Sequence, residues 1–586
     1  MTHKTSWNLR LLYDSVKDKR IEKDTKEIEE AYRKFERKYK KLTGSFGDPK
    51  ILLSALRDCE KLLRKTSSPK PLIYFLLRKE ICSNDCIAES SISMLMDRLA
   101  KSHNRVIFFR LALGRLTGGI QSKLLKNDSL KPYRYYLTAL WKNAAHQLSE
   151  SEERILNLLE LPSSHLWKQG QEKLLNSQTV AFEGKAIPIS EALNLVKSLP
   201  AKKRAVLHNK TVATLKSISH FAESELNALY TKKKVEDNLR GFKESFDSTI
   251  LEYENNRQSV LAMVEAVKDS FAVSRKFYRL KSKALGLKKL GYADRSVSLS
   301  ELSRKFTLKE SVAVVREGLS RVSSKYADML SRFLENGQID VFPKIGKHGG
   351  AFCAGNINMP TFLLLNHTDD IRSVTTLGHE MGHAIHTEMS KSQSVIYESY
   401  TTSTAEVAST LFENFVFDAL LEKLTEKERA ILLHERLGDA ISTVYRQVAC
   451  FEFEYELHKK VRMTGSVSKE EIAALHNKHM LRYLGSSFSL NPNDGYFFVA
   501  WSHLRRPFYV YSYAYGYLIS RVLYERVKLD ASYERKVAEF LGAGGSDTPE
   551  NIFKNVGIDT TDGNFWREGI KSIEGDLEFL EKAKKQ

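Results

Sequence analysis

Apolar residues recur at the spacing of an α-helix along most of this 586-residue chain. The charged stretch 21–42 shows the pattern well, because its apolar residues stand four, three and four positions apart: Ile28, Tyr32, Phe35 and Tyr39. Such a series lines one face of a helix. Only 12 prolines and 30 glycines are present to interrupt helices, so the sequence predicts a mostly α-helical protein.

Helix starts and breaks can be predicted in several other places. Ser149 is followed three residues later by Glu152, and these two residue types form a capping box at the first turn of a helix. We also expect a helical stretch over 191–285 with a break near Asn256, and another helix over 308–335.

Strand signals are confined to two places. Alternating residues at 179–182 and 186–189 flank Glu183-Gly184-Lys185, which predicts a small hairpin because glycine suits the turn. Farther on, the stretch 346–355 holds four glycines and leads into an extended run that ends at Asn366. We expect an edge strand at 349–358, with backbone groups that can pair with an extended peptide.

Composition and charge exclude several classes of protein. With 42% hydrophobic and 28% charged residues, the chain has the composition of a globular protein, and its length predicts more than one folding unit. The net charge of +19 comes from lysines spread over the whole chain. Because no arginine-rich tail accompanies this charge, nucleic-acid binding is not predicted as the main function.

The sequence also predicts a location. Its apolar runs, such as 361–365, are too short to span a bilayer, and its polar start does not resemble a signal peptide. Five cysteines form no dense framework, which favours a reducing compartment. The expected location is therefore the cytoplasm, with no membrane partner.

The segment His379–His383 carries the strongest functional signal. It reads His-Glu-Met-Gly-His, and two histidines four residues apart on a helix present both imidazoles to a single ion. Glu380 would lie beside that ion and could take a proton from a metal-activated water, as in zinc peptidases. Asp369 and Asp370 fall in the predicted first turn of this helix, where acidic groups suit its dipole.

A catalytic zinc site needs a third protein ligand. A third histidine at the spacing that one class of peptidases uses is absent, because Met389 occupies that position. The remaining candidates are Glu398 and Glu406, and we favour Glu406 because its small neighbours would let two helices approach closely. Glu413 follows two turns later on the same face and could support the ligands. His386 shares the helical side of the two histidines, and we interpret it as a packing or substrate-facing residue.

A set of segments that together span nearly the whole chain points to one known family. These segments are Trp7–Tyr13, His146–Glu153, His379–His386, Ala405–Thr410, Pro507–Ala514, Gly544–Ser546 and Phe565–Trp566. Together they resemble the thimet oligopeptidase / oligoendopeptidase F family of zinc metallopeptidases, and the oligoendopeptidase F branch more closely.

The resemblance implies a fold and a division of the chain. The expected fold is mostly α, with two helical lobes that enclose a deep channel and a small β-sheet beside the helix of the His-Glu-x-x-His motif. The expected regions are an N-terminal helical region at 1–190 and a zinc metallopeptidase catalytic domain at 191–586. A deep channel would limit the substrates to short peptides.

The resemblance also implies the residues of the site. One zinc ion would be bound by His379, His383 and Glu406, with Glu380 as the general base, although the spacing to the third ligand leaves Glu398 as a rival.

A histidine and tyrosines from the C-terminal segment would stabilise the transition state: His503 matches the histidine, and Tyr513 and Tyr511 are the candidate tyrosines. Imidazole and phenol donors aimed at the oxyanion of peptide hydrolysis would lower the barrier. The alternative for most rings of 508–517 is an aromatic core.

The sequence therefore predicts a zinc metalloendopeptidase that hydrolyses short unfolded oligopeptides and acts as a monomer or homodimer. A dipeptidyl carboxypeptidase of the same fold is the alternative. It would need a cation to hold a free C-terminus, for which Arg505 and Arg506 are candidates. A non-catalytic basic binding protein is less favoured, because such a protein would be expected to have lost Glu380 or a metal ligand.

Overall fold

The computed structural model of the chain describes residues 4–300, 302 and 304–583. The described residues form two compact units, and each unit is assembled from segments that are distant in sequence. The described parts of 1–145, 303–423 and 523–557 form the first unit, and the described parts of 146–302, 424–522 and 558–586 form the second. The sequence predicted a boundary at residue 190, between an N-terminal region and a catalytic domain. This boundary does not coincide with a boundary between the two units, and it stays a prediction.

Helices make up most of the described chain, which confirms the mostly α-helical prediction. In chain order the α-helices are α1 (Lys19–Tyr39), α2 (Pro49–Thr66), α3 (Lys70–Ile81), α4 (Cys86–His103), α5 (Ile107–Gly114), α6 (Gly118–Lys126), α7 (Arg134–Ala144), α8 (Glu150–Glu160), α9 (Leu166–Asn176), α10 (Ile189–Leu195), α11 (Ala201–Ser217), α12 (Ser219–Leu239), α13 (Asp247–Glu252), α14 (Arg257–Asp269), α15 (Phe271–Ala284), α16 (Leu308–Ser320), α17 (Ser324–Asn336), α18 (Ile371–Ser390), α19 (Thr402–Leu421), α20 (Glu426–Ile441), α21 (Gln447–Thr464), α22 (Lys469–Leu484), α23 (Tyr511–Leu529), α24 (Glu534–Ala543), α25 (Pro549–Asn555) and α26 (Gly563–Ala583).

Short helical turns link several of these helices. Two π-helical turns, Leu161–His165 and Ser442–Arg446, join α8 to α9 and α20 to α21. The 3-10 helices are Leu9–Leu11, Lys40–Ser45, Asn104–Val106, Asp128–Tyr133, Tyr292–Ser296, Gly485–Ser487, Pro492–Val499, Ser502–Arg505 and Ala531–Tyr533.

Each unit contains one small sheet within its described residues. In the second unit, β1 (Thr179–Phe182) pairs antiparallel with β2 (Lys185–Pro188), which confirms the predicted hairpin. In the first unit, β3 (Ile339–Asp340), β4 (Phe352–Asn356) and β5 (Met359–Leu364) lie in the order β3-β5-β4. β5 is parallel to β3 and antiparallel to β4, so β4 is an edge strand.

Local patterns in the sequence predicted several of these elements. The apolar face of α1 is buried as its spacing indicates, and Ser149 and Glu152 form the capping box of α8. Asn256 caps α14 at the predicted break. The predicted helix over 308–335 was wrong in one respect, because the chain interrupts it between α16 and α17. The expected single extended run is two antiparallel strands that turn at 357–358.

The sheet of the first unit is anchored in a hydrophobic core. Phe362 and Leu364 of β5 pack with Trp7 and Tyr74, and the indole N–H of Trp7 donates to the carbonyl of Leu363 at 2.7 Å. α18 packs against β4 and β5, and also against α16 and α19. The small sheet therefore lies beside the helix that carries the His-Glu-Met-Gly-His segment, as predicted.

In the part of the chain that the structure describes, no helix combines the length and the apolar character needed to span a bilayer.

Candidate metal centre

The two histidines of the His-Glu-Met-Gly-His segment lie on the middle turns of α18. The ring centroids of His379 and His383 are 4.9 Å apart, as expected for residues one turn apart on a helix. The helix starts after Asp370, whose side chain accepts a hydrogen bond from the N–H of Ser373. Asp370 is thus the N-cap, and the prediction that it occupies the first turn was wrong by one position.

α19 approaches α18 closely because small residues lie between the two helices. A Cβ atom on Gly382 would lie 2.6 Å from the Cα of Ser409 and 2.9 Å from the carbonyl oxygen of Ala408. A Cβ atom on Gly378 would lie 2.9 Å from the side chain of Val416. This close packing brings the side chain of Glu406, near the start of α19, opposite the two histidines of α18.

His379, His383 and Glu406 form a group of possible ligands. One atom from each side chain lies within 4.8 Å of the others. The Oε2 atom of Glu406 is 3.5 Å from the Nε2 of His379 and 3.7 Å from the Nε2 of His383. Among the described residues, no other group of three or more histidine, cysteine or acidic side chains has this geometry.

Two neighbours orient these candidate ligands. Glu413 lies on α19, and its Oε2 is 2.9 Å from the Nδ1 of His379, which leaves Nε2 directed at Glu406. The hydroxyl of Ser409 donates to the Oε2 of Glu406 at 3.0 Å. Burial alone would lower the pKa of His379, but the hydrogen bond to Glu413 and the nearby carboxylates raise this pKa to about 9. A carboxylate behind a metal-binding histidine is a common way to fix the ring.

Glu380 is buried beside this group. Its side chain is 6% exposed, and its Oε2 atom has no hydrogen-bond partner among the described residues. Burial raises the pKa of Glu380 to about 7, and the charges of Glu406 and Glu413 add to this while His379 opposes it. A carboxyl group with a pKa close to neutrality is suited to proton transfer.

The rival ligand and the third histidine of α18 lie outside the group. The carboxylate of Glu398 accepts a hydrogen bond from the N–H of Ile357, in the turn between β4 and β5. His386 is 1% exposed and stacks on Tyr400 with 3.7 Å between ring centroids. Burial lowers the pKa of His386 to about 3, so this imidazole is a neutral packing residue.

β4 offers an unpaired strand edge. It pairs with β5 on one side, and as an edge strand it has no neighbouring strand on the other side within the described residues. β4 also packs on α18, so this strand edge lies next to the helix of the two histidines.

The predicted C-terminal residues lie in the second unit, where His503 and Tyr513 are paired. His503 belongs to a short 3-10 helix, and its Nε2 is 3.2 Å from the hydroxyl oxygen of Tyr513. Both side chains are half-buried. Burial and then the charges of Arg446 and Arg506 lower the pKa of His503, so its imidazole is neutral at neutral pH.

Tyr511 has a different environment from Tyr513. Its side chain is fully buried, and its hydroxyl accepts a hydrogen bond from the side-chain amide of Asn255 at 2.9 Å. Its ring lies near Tyr253 and Phe451. These contacts are those of a core residue, whereas the hydroxyl of Tyr513 faces the imidazole of His503.

Sequence reasoning missed the contacts that shape this segment. Phe508 is fully buried and has φ of +57°, a left-handed conformation that bulky residues seldom adopt. Its N–H donates to the Oε1 of Glu454 on α21 at 2.8 Å. Tyr509 faces the ring of His503 with 6.0 Å between centroids and was also missed. Because Glu454 lies 54 residues before Phe508, no local pattern signals this contact.

Comparison with known protein families identifies the family to which this chain belongs. The profile described as Peptidase family M3 matches residues 197–572, well over half of the chain. The chain belongs to peptidase family M3. A second profile, described as Oligopeptidase F, matches residues 114–180. The resemblance stated from the sequence motifs is therefore confirmed, and the protein is a peptidase of a family of metal-dependent oligopeptidases.

Relatives of this family M3 peptidase are found in several bacteria. An oligoendopeptidase F homolog of Lactococcus lactis subsp. lactis is 26% identical over 99% of this chain and 98% of its own length. Oligopeptidase PepF of Bacillus subtilis is 26% identical over 79% of this chain and 70% of its own length.

Solved structures share the fold of this family M3 peptidase. A putative peptidase from Chlamydophila abortus superposes with a TM-score of 0.85 at 21% identity and covers 100% of both chains. An oligoendopeptidase F from Enterococcus faecium gives a TM-score of 0.70 at 18% identity over 96% of this chain and 98% of its own. At these identities the likeness concerns the fold alone.

Proposed function

We propose that this family M3 peptidase is a zinc metalloendopeptidase that cleaves short unfolded oligopeptides. The observation that supports the metal site best is the convergence of His379, His383 and Glu406 from two closely packed helices. Two imidazoles and one carboxylate are a typical ligand set for a catalytic zinc ion with an open position. The carboxylate of Glu413 behind His379 adds to this support.

These three residues would hold one zinc ion. The chemistry that zinc supplies at such a site is Lewis-acid activation of water and of the substrate carbonyl. His379 must lose a proton to serve as a ligand, because its raised pKa keeps it protonated in the metal-free protein at neutral pH. His383 is ready for this role, since burial lowers its pKa to about 4.

Glu380 would act as the general base. Its buried and unpaired Oε2 could accept a proton from the attacking water and later deliver it to the leaving amine. The low polarity around this carboxyl, which raises its pKa, favours that exchange of the proton.

His503 and Tyr513 would together supply the hydrogen-bond donation that stabilises the oxyanion formed during hydrolysis. This assignment rests on the family resemblance and on their chemistry, since a neutral imidazole and a phenol are both donors. Tyr511 is the weaker choice because its hydroxyl is buried and bonded to Asn255. The edge of β4 is the surface we propose for pairing with the substrate backbone.

The dipeptidyl carboxypeptidase alternative has less support. Arg505 forms a paired ion bridge with the buried carboxylate of Glu225, with distances of 2.6 Å and 3.1 Å, so it is not available for a free C-terminus. Arg506 is exposed and lies over the ring of Tyr509. The cytoplasmic location, the absence of a nucleic-acid role and the oligomeric state, monomer or homodimer, stay predictions.

A quenched fluorescent nonapeptide tests the proposal. We expect the protein to cleave it internally, to lose activity with a chelator and to regain it with zinc. A matched peptide with an amidated C-terminus should be cleaved equally well, because an endopeptidase does not need a free carboxylate. Release of C-terminal dipeptides from the free acid alone would favour the alternative, and no cleavage by zinc-loaded protein would contradict both.

A further inference from the structure

His503 has a hydrogen-bond donor on one side of its ring. The indole N–H of Trp501 donates to the Nδ1 of His503 at 3.1 Å. Trp501 is 3% exposed, so little water competes for this bond. Trp501 lies two residues before His503 in the sequence, and it is not among the residues that the motif patterns single out.

This bond fixes the position of the proton on the imidazole. An indole nitrogen can only donate, so the Nδ1 of His503 must accept and carries no proton. In a neutral imidazole the proton then resides on Nε2. The Nε2–H faces the hydroxyl oxygen of Tyr513 at 3.2 Å, which accepts the bond, so the phenol O–H is directed to an acceptor other than His503.

We propose that Trp501 is a positioning residue that holds His503 as the tautomer protonated on Nε2, so that the imidazole and the phenol of Tyr513 form one chain of hydrogen-bond donors. The inference rests on the proposed role of His503 in stabilising the transition state. An oxyanion needs a donor, and in the other tautomer the lone pair on Nε2 would accept the O–H of Tyr513 and withdraw that donor from the oxyanion.

The charges around His503 support the same state. The guanidinium of Arg446 lies 4.4 Å from the centre of the Trp501 ring, and that of Arg506 lies 4.1 Å from the centre of the Tyr509 ring. Burial lowers the pKa of His503 first, and these two charges lower it further. A proton on Nδ1 would also confront the indole N–H of Trp501, which disfavours the imidazolium.

A role in packing alone is the alternative for Trp501. Its ring contacts His476 at 5.8 Å between centroids in addition to Arg446. Trp501→Phe retains an aromatic ring at this position and removes the N–H, so it separates hydrogen bonding from packing. Trp566→Phe is a matched control in the same unit, because the indole N–H of Trp566 donates to the carbonyl of Thr560 at 2.8 Å and has no bond to a histidine in the described structure.

The test combines 15N NMR of the histidine side chains with peptide hydrolysis by the zinc-loaded full chain. The signals of His503 are identified by their loss in His503→Gln. We expect the wild-type protein to show an unprotonated Nδ1 and a protonated Nε2. Trp501→Phe should give a mixture of tautomers and a higher pKa for His503. Its turnover should be lower by about two- to tenfold with unchanged KM, as for loss of one neutral hydrogen bond. Trp566→Phe should change none of these.

Each other outcome has a defined meaning. A wild-type His503 protonated on Nδ1 would overturn the inference without any variant, even if Trp501→Phe fails to fold. A lower turnover in Trp501→Phe with an unchanged tautomer would assign Trp501 to packing and also overturn it. If the tautomer changes as expected while neither Trp501→Phe nor His503→Gln affects turnover, the positioning by Trp501 stands and the catalytic role of His503 fails.

Discussion

The ligand group on α18 and α19 and the segment 501–513 hold their polar side chains by different means. In the first, two regular helices meet at glycine and serine, and every side chain of the group projects from helical backbone. In the second, His503 lies on a 3-10 helix and Phe508 has a left-handed backbone conformation. The N–H of Phe508 donates a hydrogen bond to Glu454, which is distant in sequence. In a regular helix, the spacing of residues in the sequence determines where their side chains lie. In an irregular segment, the positions of the side chains depend on individual contacts.

The difference between the two regions should appear in what their variants lose. Variants in the ligand group should change metal binding or the proton transfer that depends on it. Variants in the segment 501–513 should leave the metal in place and change only turnover or the stability of the second unit. The expected effects decrease from the loss of Glu380 to the loss of the anchor of Phe508.

The largest effect is expected for the base. Glu380→Gln should keep zinc, because Glu380 is not proposed as a ligand, and should lower turnover by about 10²–10⁴-fold or more, the contribution of a positioned proton acceptor. Turnover and zinc content are measured on the same preparation. Glu388→Gln, on the same helix and bonded to Thr361 and Lys391, is the control and should remain active. Near-normal turnover of Glu380→Gln would remove this residue from the mechanism.

The second effect concerns the donors of the C-terminal segment. His503→Phe and Tyr513→Phe should each lower turnover by about 10²–10³-fold with nearly unchanged KM and normal zinc content, as for loss of one oxyanion donor. Tyr511→Phe should have a smaller effect, because the buried hydroxyl of Tyr511 is bonded to Asn255. A rise in KM at constant turnover would instead mean that these side chains hold the substrate.

The third effect concerns the carboxylate behind His379. Glu413→Gln should weaken zinc binding by about 10–100-fold, the usual cost of removing such a support. In the wild-type protein zinc must displace a proton from His379, so its affinity should rise with pH until about 9, the raised pKa of this residue. In Glu413→Gln the rise should end at lower pH. Titration with zinc at several pH values measures the affinity and its pH dependence. Glu426→Gln, at an exposed position, is the control. An identical pH profile for Glu413→Gln and the wild-type protein would contradict the role of Glu413.

The smallest effect concerns the anchor of Phe508. Glu454→Leu should lower the free energy of unfolding by about 1–3 kcal/mol, because the buried N–H of Phe508 loses its acceptor. Burial raises the pKa of Glu454 well above its usual value, which favours the neutral carboxyl, and Glu454→Gln keeps a carbonyl acceptor, so this variant should cost clearly less. Denaturant unfolding of both variants measures this. Equal losses would show that Phe508 does not depend on this bond.

The sequence predicted the ligand group better than the segment, for physical reasons. The four-residue spacing of His379 and His383 sets their geometry as soon as α18 forms, and small residues around Glu406 indicated the close approach of α19. The choice of Glu406 over Glu398 depended on which carboxylate the fold turns toward the two histidines. Residue spacing does not reveal this direction. In the structure, the carboxylate of Glu398 accepts a hydrogen bond from the N–H of Ile357, in the turn between β4 and β5.

The partners of His503 were beyond sequence reasoning for a different reason. Trp501 and Tyr513 are near in sequence, but whether their side chains meet His503 depends on 3-10 turns and a left-handed residue that no periodic pattern encodes. The helical fold itself was predictable from apolar spacing. The breaks within its long helical stretches and the two-residue strand β3 were not, because short irregular connections leave little signal in residue order.

Zinc content of three proteins tests the central claim most directly. The account predicts about one zinc ion per chain for the wild-type protein and for Glu398→Ala, since Glu398 bonds to the turn between β4 and β5 and not to the histidines. It predicts a sharply lower zinc content for Glu406→Ala after dialysis against the same buffer, because only two ligands remain. Full occupancy in Glu406→Ala together with loss in Glu398→Ala would contradict the metal centre described for α18 and α19.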